Sequence, residues 1–288
     1  MSGGNKDNGT MDNRTTDNGT IAFALRIRDG ATIRELRAEA APGRTVLDML
    51  EAARSGGAAV PAYRHSCHHG SCGTCGAVVN GLEALMCLTS AADLAAPRPR
   101  LPGGPAVPPE LDDDGAVVVT LEPLSKMSVV SGLAVSPGPV FAGIPAGVSY
   151  LAAVEDGGRA PLPPDPEGAR AEGGGGPADD SRWRPAGRAR FEACIECGLC
   201  VSACPVAVPF IGPAALAAAN REREKRPERA RAMLDAAARP DGEGPCGRHL
   251  ACSRVCPQAV YPGKHIQLLR NALGRGSSGG SGSGGSGR

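Results

Sequence analysis

Eleven cysteines fall into three spaced groups with none left over. Cys67, Cys72, Cys75 and Cys87 follow C-x4-C-x2-C-x11-C. Cys194, Cys197, Cys200 and Cys204 follow C-x2-C-x2-C-x3-C, with Pro205 next. Cys246, Cys252 and Cys256 form the third group, again with a proline, Pro257, after the last member. The first spacing is the plant-type pattern for a 2Fe–2S cluster, and the second is the bacterial ferredoxin run. Thiolates at such short intervals, separated by small residues, let one loop wrap a cluster and aim several sulfurs inward. A chain built this way is expected to carry electrons.

Two other uses of cysteine fit less well. Zinc sites take well-separated pairs, whereas three cysteines at C-x2-C-x2-C crowd one tetrahedral ion. Disulfide frameworks suit small secreted chains. This chain has 288 residues and begins with a polar stretch without an apolar signal segment. The expected compartment is therefore reducing. A net charge of +1 and only 3% aromatic residues give no basic stripe or stacking platform, so no nucleic-acid partner is expected. The longest apolar stretch, Val129 to Val154, is broken by Pro137, Pro139, Pro145 and several glycines, and does not predict a membrane span.

Patterning divides the chain. Residues 1–19 are polar and predicted to be disordered. Ile21, Phe23, Leu25 and Ile27 alternate as a strand does, Asp29-Gly30 predicts a hairpin turn, and a second strand is expected around Ile33 to Arg37. Thr45 with Asp48 is a capping signal for a helix through Leu50, ending near Gly56-Gly57. After the Cys67–Cys75 loop, Val78-Val79 and the Asn80-Gly81 turn bring the chain back to Cys87, and a last strand, Val117 to Leu121, closes the module. Pro97–Gly115 and Glu155–Arg190 look like spacers. Beyond them the pattern is helical. Pro213–Asn220 is an alanine-rich helix with Pro213 in its first turn, and the Arg/Glu run around Arg221–Arg229 is predicted as a solvated helix face. His265–Leu273 is expected to form the final helix, followed by a Gly/Ser tail. The expected class is α+β. A β-grasp 2Fe–2S ferredoxin domain spans 20–124, a Pro/Gly-rich linker 125–189, an all-α helical ferredoxin domain 190–273 and a flexible tail 274–288.

In two-cluster ferredoxins the fourth cysteine of each run ligates the other cluster. Applied here, Cys194, Cys197 and Cys200 take Cys256 as fourth ligand, which suits 4Fe–4S. Cys204 then joins Cys246 and Cys252, a set of three that suits 3Fe–4S. Gly70, Gly73 and Gly76 are expected to let backbone N–H groups approach the sulfurs of the first loop. His68 and His69 are expected at the surface rather than as ligands, because four cysteines already satisfy that cluster.

SCHHGSCGTCGAVVNG…MC, CIECGLCVSACP, FIGPAALAAANR and the final C-x5-C-x3-CP together resemble the iron-sulfur subunits of succinate dehydrogenase and fumarate reductase, over roughly residues 20–273. The resemblance implies a quinone-linked enzyme complex in which this chain sits between an FAD-containing flavoprotein and a membrane anchor. It would then be peripheral, on the cytoplasmic face of the cell membrane. Electrons would pass from flavin through the 2Fe–2S, 4Fe–4S and 3Fe–4S clusters to quinone. The chain has Val206-Ala207-Val208 rather than aromatic residues just after Pro205, and Gly247 after Cys246, so no quinone contact is assigned to it. His249 stands where a regular cysteine run would place its middle member, so it is a candidate extra ligand that would complete a 4Fe–4S cluster at the third site. A thiol-linked fumarate reductase would carry CCG segments, and no CC pair occurs. A free multi-cluster ferredoxin is the alternative to a subunit.

Overall fold

The computed structural model describes residues 19–99, 105–145, 148 and 194–274. The expected disordered start, the Glu155–Arg190 spacer and the residues of the tail from 275 onward lie outside the described residues. Among those described there are two compact units. One takes the residues up to Gly138 together with Ile195–Ala203, and the other takes Pro139 to Cys194 and the residues from Cys204 onward.

The first unit is a five-stranded mixed sheet. Its strands are β1 (Ile21–Asp29), β2 (Thr32–Ala40), β3 (Gly76–Val79), β4 (Leu82–Leu85) and β7 (Val117–Glu122), in the order β2-β1-β7-β3-β4. The expected closing strand, β7, is in fact central. It runs parallel to β1, with Phe23 opposite Val117 and Ile27 opposite Leu121, and antiparallel to β3. Its composition explains the position, because Val117, Val118, Val119 and Leu121 are all buried and only a strand covered on both faces can use such a run. β1 is buried on alternate residues Phe23, Leu25 and Ile27, while Ala24 packs with Ala116 and Val118 in a separate cluster. Each large side chain so buried stabilises the unit by about 1.5–3 kcal/mol. β2 is an edge strand, with Ile33 left 58% exposed. Arg34 pairs with Asp29 and Glu35 with Arg26, charges that discourage edge-to-edge association.

Helix α1 (Val46–Ser55) begins at the Thr45–Asp48 capping box. Thr45 N–H donates to Asp48 Oδ2 at 2.9 Å, and Asp48 N–H to Thr45 Oγ1 at 3.2 Å. A second box, Ser90 with Asp93, opens α2 (Ala91–Ala95) just after Cys87. A short ribbon of β5 (Arg98–Pro99) and β6 (Ala106–Val107) and a bridge from Leu111 to Val117 occupy the described part of the first spacer. The start of the expected linker is structured as well: β8 (Val129–Ser131), β9 (Ala134–Val135) and α3 (Gly138–Ala142) follow β7. Leu133 N–H donates to Ala62 O at 2.7 Å, so this ribbon packs on the chain leading into the first cysteine loop.

The cysteine-bearing turn α4 (Leu199–Ser202) belongs to the first unit. In the second unit, α5 (Pro213–Lys225) packs against both α6 (Ala230–Ala238) and α8 (Pro262–Ala272), and a short α7 (Ala251–Arg254) precedes α8. Leu216, Ala237, Ile266 and Leu269 form its core. Pro213 occupies the first turn of α5, as its missing N–H allows. The Arg/Glu run is not a solvated face throughout. Arg221 is 7% and Glu222 2% exposed, and Glu222 accepts from Arg226 Nη1 at 2.9 Å. Helical periodicity turns this part of the run inward, and the arginine makes the buried carboxylate tolerable. Buried Asn220 donates to His265 Nδ1 at 2.9 Å, and burial pushes the His265 pKa down. None of the described helices is long and apolar enough to cross a membrane.

Candidate iron-sulfur cluster sites

The first cysteine loop is shaped by its backbone. His68, Gly70 and Gly73 adopt positive φ (60°, 80° and 71°), turning successive N–H groups toward the loop's interior. Ser71 N–H and Cys72 N–H both donate to Cys67 Sγ at 3.3 Å. Hydrogen bonds from the His69 backbone and from Ser71 hold the Cys67 pKa down at about 5. Cys87 sits in a tight turn, Met86–Leu88, after the β3–β4 hairpin, and Met86 N–H donates to Cys75 O at 3.0 Å. The hairpin thus returns Cys87 to Cys75. Burial, then the neighbouring Cys75, pushes the Cys87 pKa up to about 12, and the Gly70 N–H opposes this. These residues fit a cluster. One thiolate is stabilised by N–H donors, and one buried thiol would ionise when a cationic iron core offsets its desolvation.

The glycines of this loop act differently from one another. Gly70 brings its N–H to Cys87, as the sequence suggests. Gly73 and Gly76 are instead crowded by the second cysteine run. A Cβ on Gly73 would lie 2.8 Å from Cys197 Cβ and 2.9 Å from Ile195 O. One on Gly76 would lie 3.1 Å from Leu124 and 3.2 Å from Leu199. Ser202 strengthens this junction, donating to Glu83 Oε1 at 2.9 Å and accepting from Ser125 N–H at 2.8 Å. Gly73→Ala is therefore expected to destabilise the protein by about 1–3 kcal/mol more than Gly81→Ala. Gly81 has a similar φ of 77° with nothing within 4 Å of an added Cβ, so it carries the backbone strain alone. Denaturant unfolding of the two variants checks this, and equal losses would refute it.

His68 and His69 are exposed. A polar array behind the loop went unread in the sequence: Tyr63 hydroxyl donates to Glu51, His65 Nε2 lies 3.2 Å from Glu51 Oε1, and His65 meets His68 at 2.9 Å. Glu51 is on α1, and nothing in local sequence pairs it with the loop.

Cys194, Cys204, Cys246, Cys252 and Cys256 lie in the second unit. Cys194 and Cys256 both pack on Ala217, Ala218 and Val260, and Val260 N–H donates to Cys256 Sγ at 3.3 Å. Cys252 is buried and senses the charges of Cys204 and Cys246; burial is the main cause that raises its pKa. Cys246 and Cys252 line a cavity of about 500 Å³ with Arg248, Tyr261, Lys264 and Arg270. His249 is exposed, lies outside that lining, and folds over Gly247. Cys197 and Cys200 flank Leu199 on the first unit. Among the described residues no three His, Cys, Asp or Glu side chains are grouped as ligands of a single metal ion.

Residues 26–142 match the model of a 2Fe-2S iron-sulfur cluster binding domain, and residues 190–260 that of a 4Fe-4S dicluster domain. The fumarate reductase iron-sulfur subunit of Mycobacterium tuberculosis is 30% identical over 212 residues, 72% of each chain. The chain belongs to the fumarate reductase and succinate dehydrogenase iron-sulfur subunit family. The succinate dehydrogenase iron-sulfur subunit of Coxiella burnetii is 27% identical over 83% of this chain and 88% of its own. A chain of the Mycobacterium smegmatis Sdh1 complex in the apo form superposes with a TM-score of 0.58 at 20% identity, covering 88% of this chain and 96% of that one, a likeness of fold. As a member of this family, the protein is an iron-sulfur electron-transfer subunit of a succinate- or fumarate-linked quinone oxidoreductase. Its β-rich N-terminal domain binds a 2Fe–2S cluster, and a helical domain follows.

Proposed function

We propose that this subunit joins an FAD-containing flavoprotein to a membrane anchor with quinone, at the cytoplasmic face of the membrane, and holds three clusters. Cys67, Cys72, Cys75 and Cys87 would hold 2Fe–2S; Cys194, Cys197, Cys200 and Cys256 would hold 4Fe–4S; Cys204, Cys246 and Cys252 would hold 3Fe–4S. Clusters bound there would supply one-electron carriers between flavin and quinone. The observation that carries the reading is the sorting of cysteines in the second unit, with Cys252 beside Cys204 and Cys246, and Cys194 beside Cys256. The exposed position of His249, away from the cavity lining, favours three ligands over four at the last site.

We also read the N-terminal sheet as a β-grasp domain and the helical part as a ferredoxin-type domain, over 20–124 and 190–273 as units of sequence. One capped helix beside a mixed five-stranded sheet supports the first name. This chain's residues set the surroundings: N–H donors at Cys67, burial at Cys87 and Cys252, and the Gly73–Cys197 packing that seats the second run on the first unit.

The test is purification of the tagged chain from native membranes. The expected result is a complex with covalent flavin and an anchor subunit, in which succinate reduces the 2Fe–2S signal. A chain that purifies alone, fully loaded with iron and unresponsive to succinate, would overturn the proposal in favour of a free ferredoxin.

A further inference from the structure

A buried ion pair in the second unit plays no part in the ligand sets. Glu243 is 2% and Arg270 8% exposed. Arg270, near the end of α8, donates from Nε to Glu243 Oε2 at 2.5 Å. Its Nη2 donates to two main-chain carbonyls, Glu243 O at 3.0 Å and Cys246 O at 2.6 Å. One guanidinium therefore grips the turn that carries Cys246 at three points, a use of the rigid arginine fork that lysine cannot copy. The turn has little slack elsewhere. Glu243 N–H donates to Ala237 O at 2.8 Å, and Cys246 N–H to Glu243 O at 3.2 Å. A Cβ on Gly242 would lie 2.1 Å from Ala237 O.

A buried pair of this kind adds little net stability over apolar packing, so its use is sought in geometry or charge. Both are present. Arg270 lines the cavity onto which Cys246 and Cys252 open, and Glu243 does not. The pair thus presents its positive end to the cavity. Arg248 and Lys264 also line it, and among the described residues no aspartate or glutamate does. A cluster held by thiolates is anionic and gains one more negative charge on reduction, so a fixed cation beside it favours the reduced form.

We propose that Arg270 is a positioning residue for the third cluster, fixing the Cys246 turn and raising the cluster's reduction potential, with Glu243 moderating that charge. The proposal rests on the reading of Cys204, Cys246 and Cys252 as ligands. Redox-poised EPR of the purified complex tests it. Glu243→Gln keeps the hydrogen-bond geometry but unmasks the guanidinium, so the third cluster's midpoint should shift upward at near-full occupancy. Arg270→Gln should shift it downward and lower its iron content, and Arg270→Lys should restore the potential more than the occupancy. The 2Fe–2S midpoint should stay put in all three. Should Arg270→Gln fail to assemble, Glu243→Gln and Arg270→Lys still decide. Wild-type potential and occupancy in both of these would overturn the role of Arg270. Shifts of the same sign in the Glu243→Gln and Arg270 variants would overturn the charge effect. Cys252→Ser, run in parallel, separates the two layers. Loss of the third signal there, with unaltered Arg270 and Glu243 variants, sinks only this proposal. A persisting signal in Cys252→Ser sinks the ligand reading beneath it.

Discussion

Cys87→Ala is expected to abolish the 2Fe–2S signal while the two C-terminal clusters still form. Cys87 is 4% exposed at the end of the β3–β4 hairpin, and every other cysteine of the chain is itself expected to serve as a ligand. Alanine also leaves the loop's inward N–H groups at Ser71 and Cys72 facing an incomplete set of sulfurs. The proposed ligands of the C-terminal clusters lie within residues 194–256 and include none of those proposed for the 2Fe–2S cluster. The second run does pack on the first unit through Gly73 and Ser202, so a lower thermal midpoint is expected alongside the lost signal. EPR of the dithionite-reduced protein, with iron analysis, reads the outcome. A soluble variant that has lost all its iron would show that the two parts of the chain do not load independently.

Cys256→Ser and Cys204→Ser are expected to damage different clusters, and in the order opposite to sequence proximity. Cys256 follows Cys252 by one short turn, yet it packs with Cys194 on Ala217, Ala218 and Val260. Cys252 instead feels the charges of Cys204 and Cys246. Serine for Cys256 should therefore remove or convert the 4Fe–4S cluster and spare the one that is paramagnetic when oxidised. Serine for Cys204 should do the reverse. Loss of a cluster is close to all-or-none, because each thiolate contributes to a closed ligand shell whose assembly is coupled to local folding. EPR of oxidised and reduced samples of both variants separates the cases. If Cys256→Ser disturbed only the oxidised-state signal, the crossed arrangement would be wrong.

Much of the local structure was legible. The alternation Ile21–Ile27, the Asp29-Gly30 and Asn80-Gly81 turns, the Thr45–Asp48 box and Pro213 at a helix start each depend on residues within a few positions of one another. Local sterics and hydrogen bonding suffice to specify them. The Arg/Glu run misled for the same reason: charge predicts solvent unless a distant surface covers the helix, and Glu222 is covered.

By itself the sequence determined the chemistry. Three groups of cysteines at short intervals permit iron-sulfur clusters, because the ligand spacing is a property of one loop at a time. Tertiary structure decided the rest. It put β7 between β1 and β3, seated Ile195–Ala203 on the sheet unit against Gly73, and sorted Cys256 from Cys252. It also brought Arg270 of α8 to the Cys246 turn. Each of these joins residues far apart in the chain, where the outcome depends on which buried faces fit together, and no local pattern carries that information.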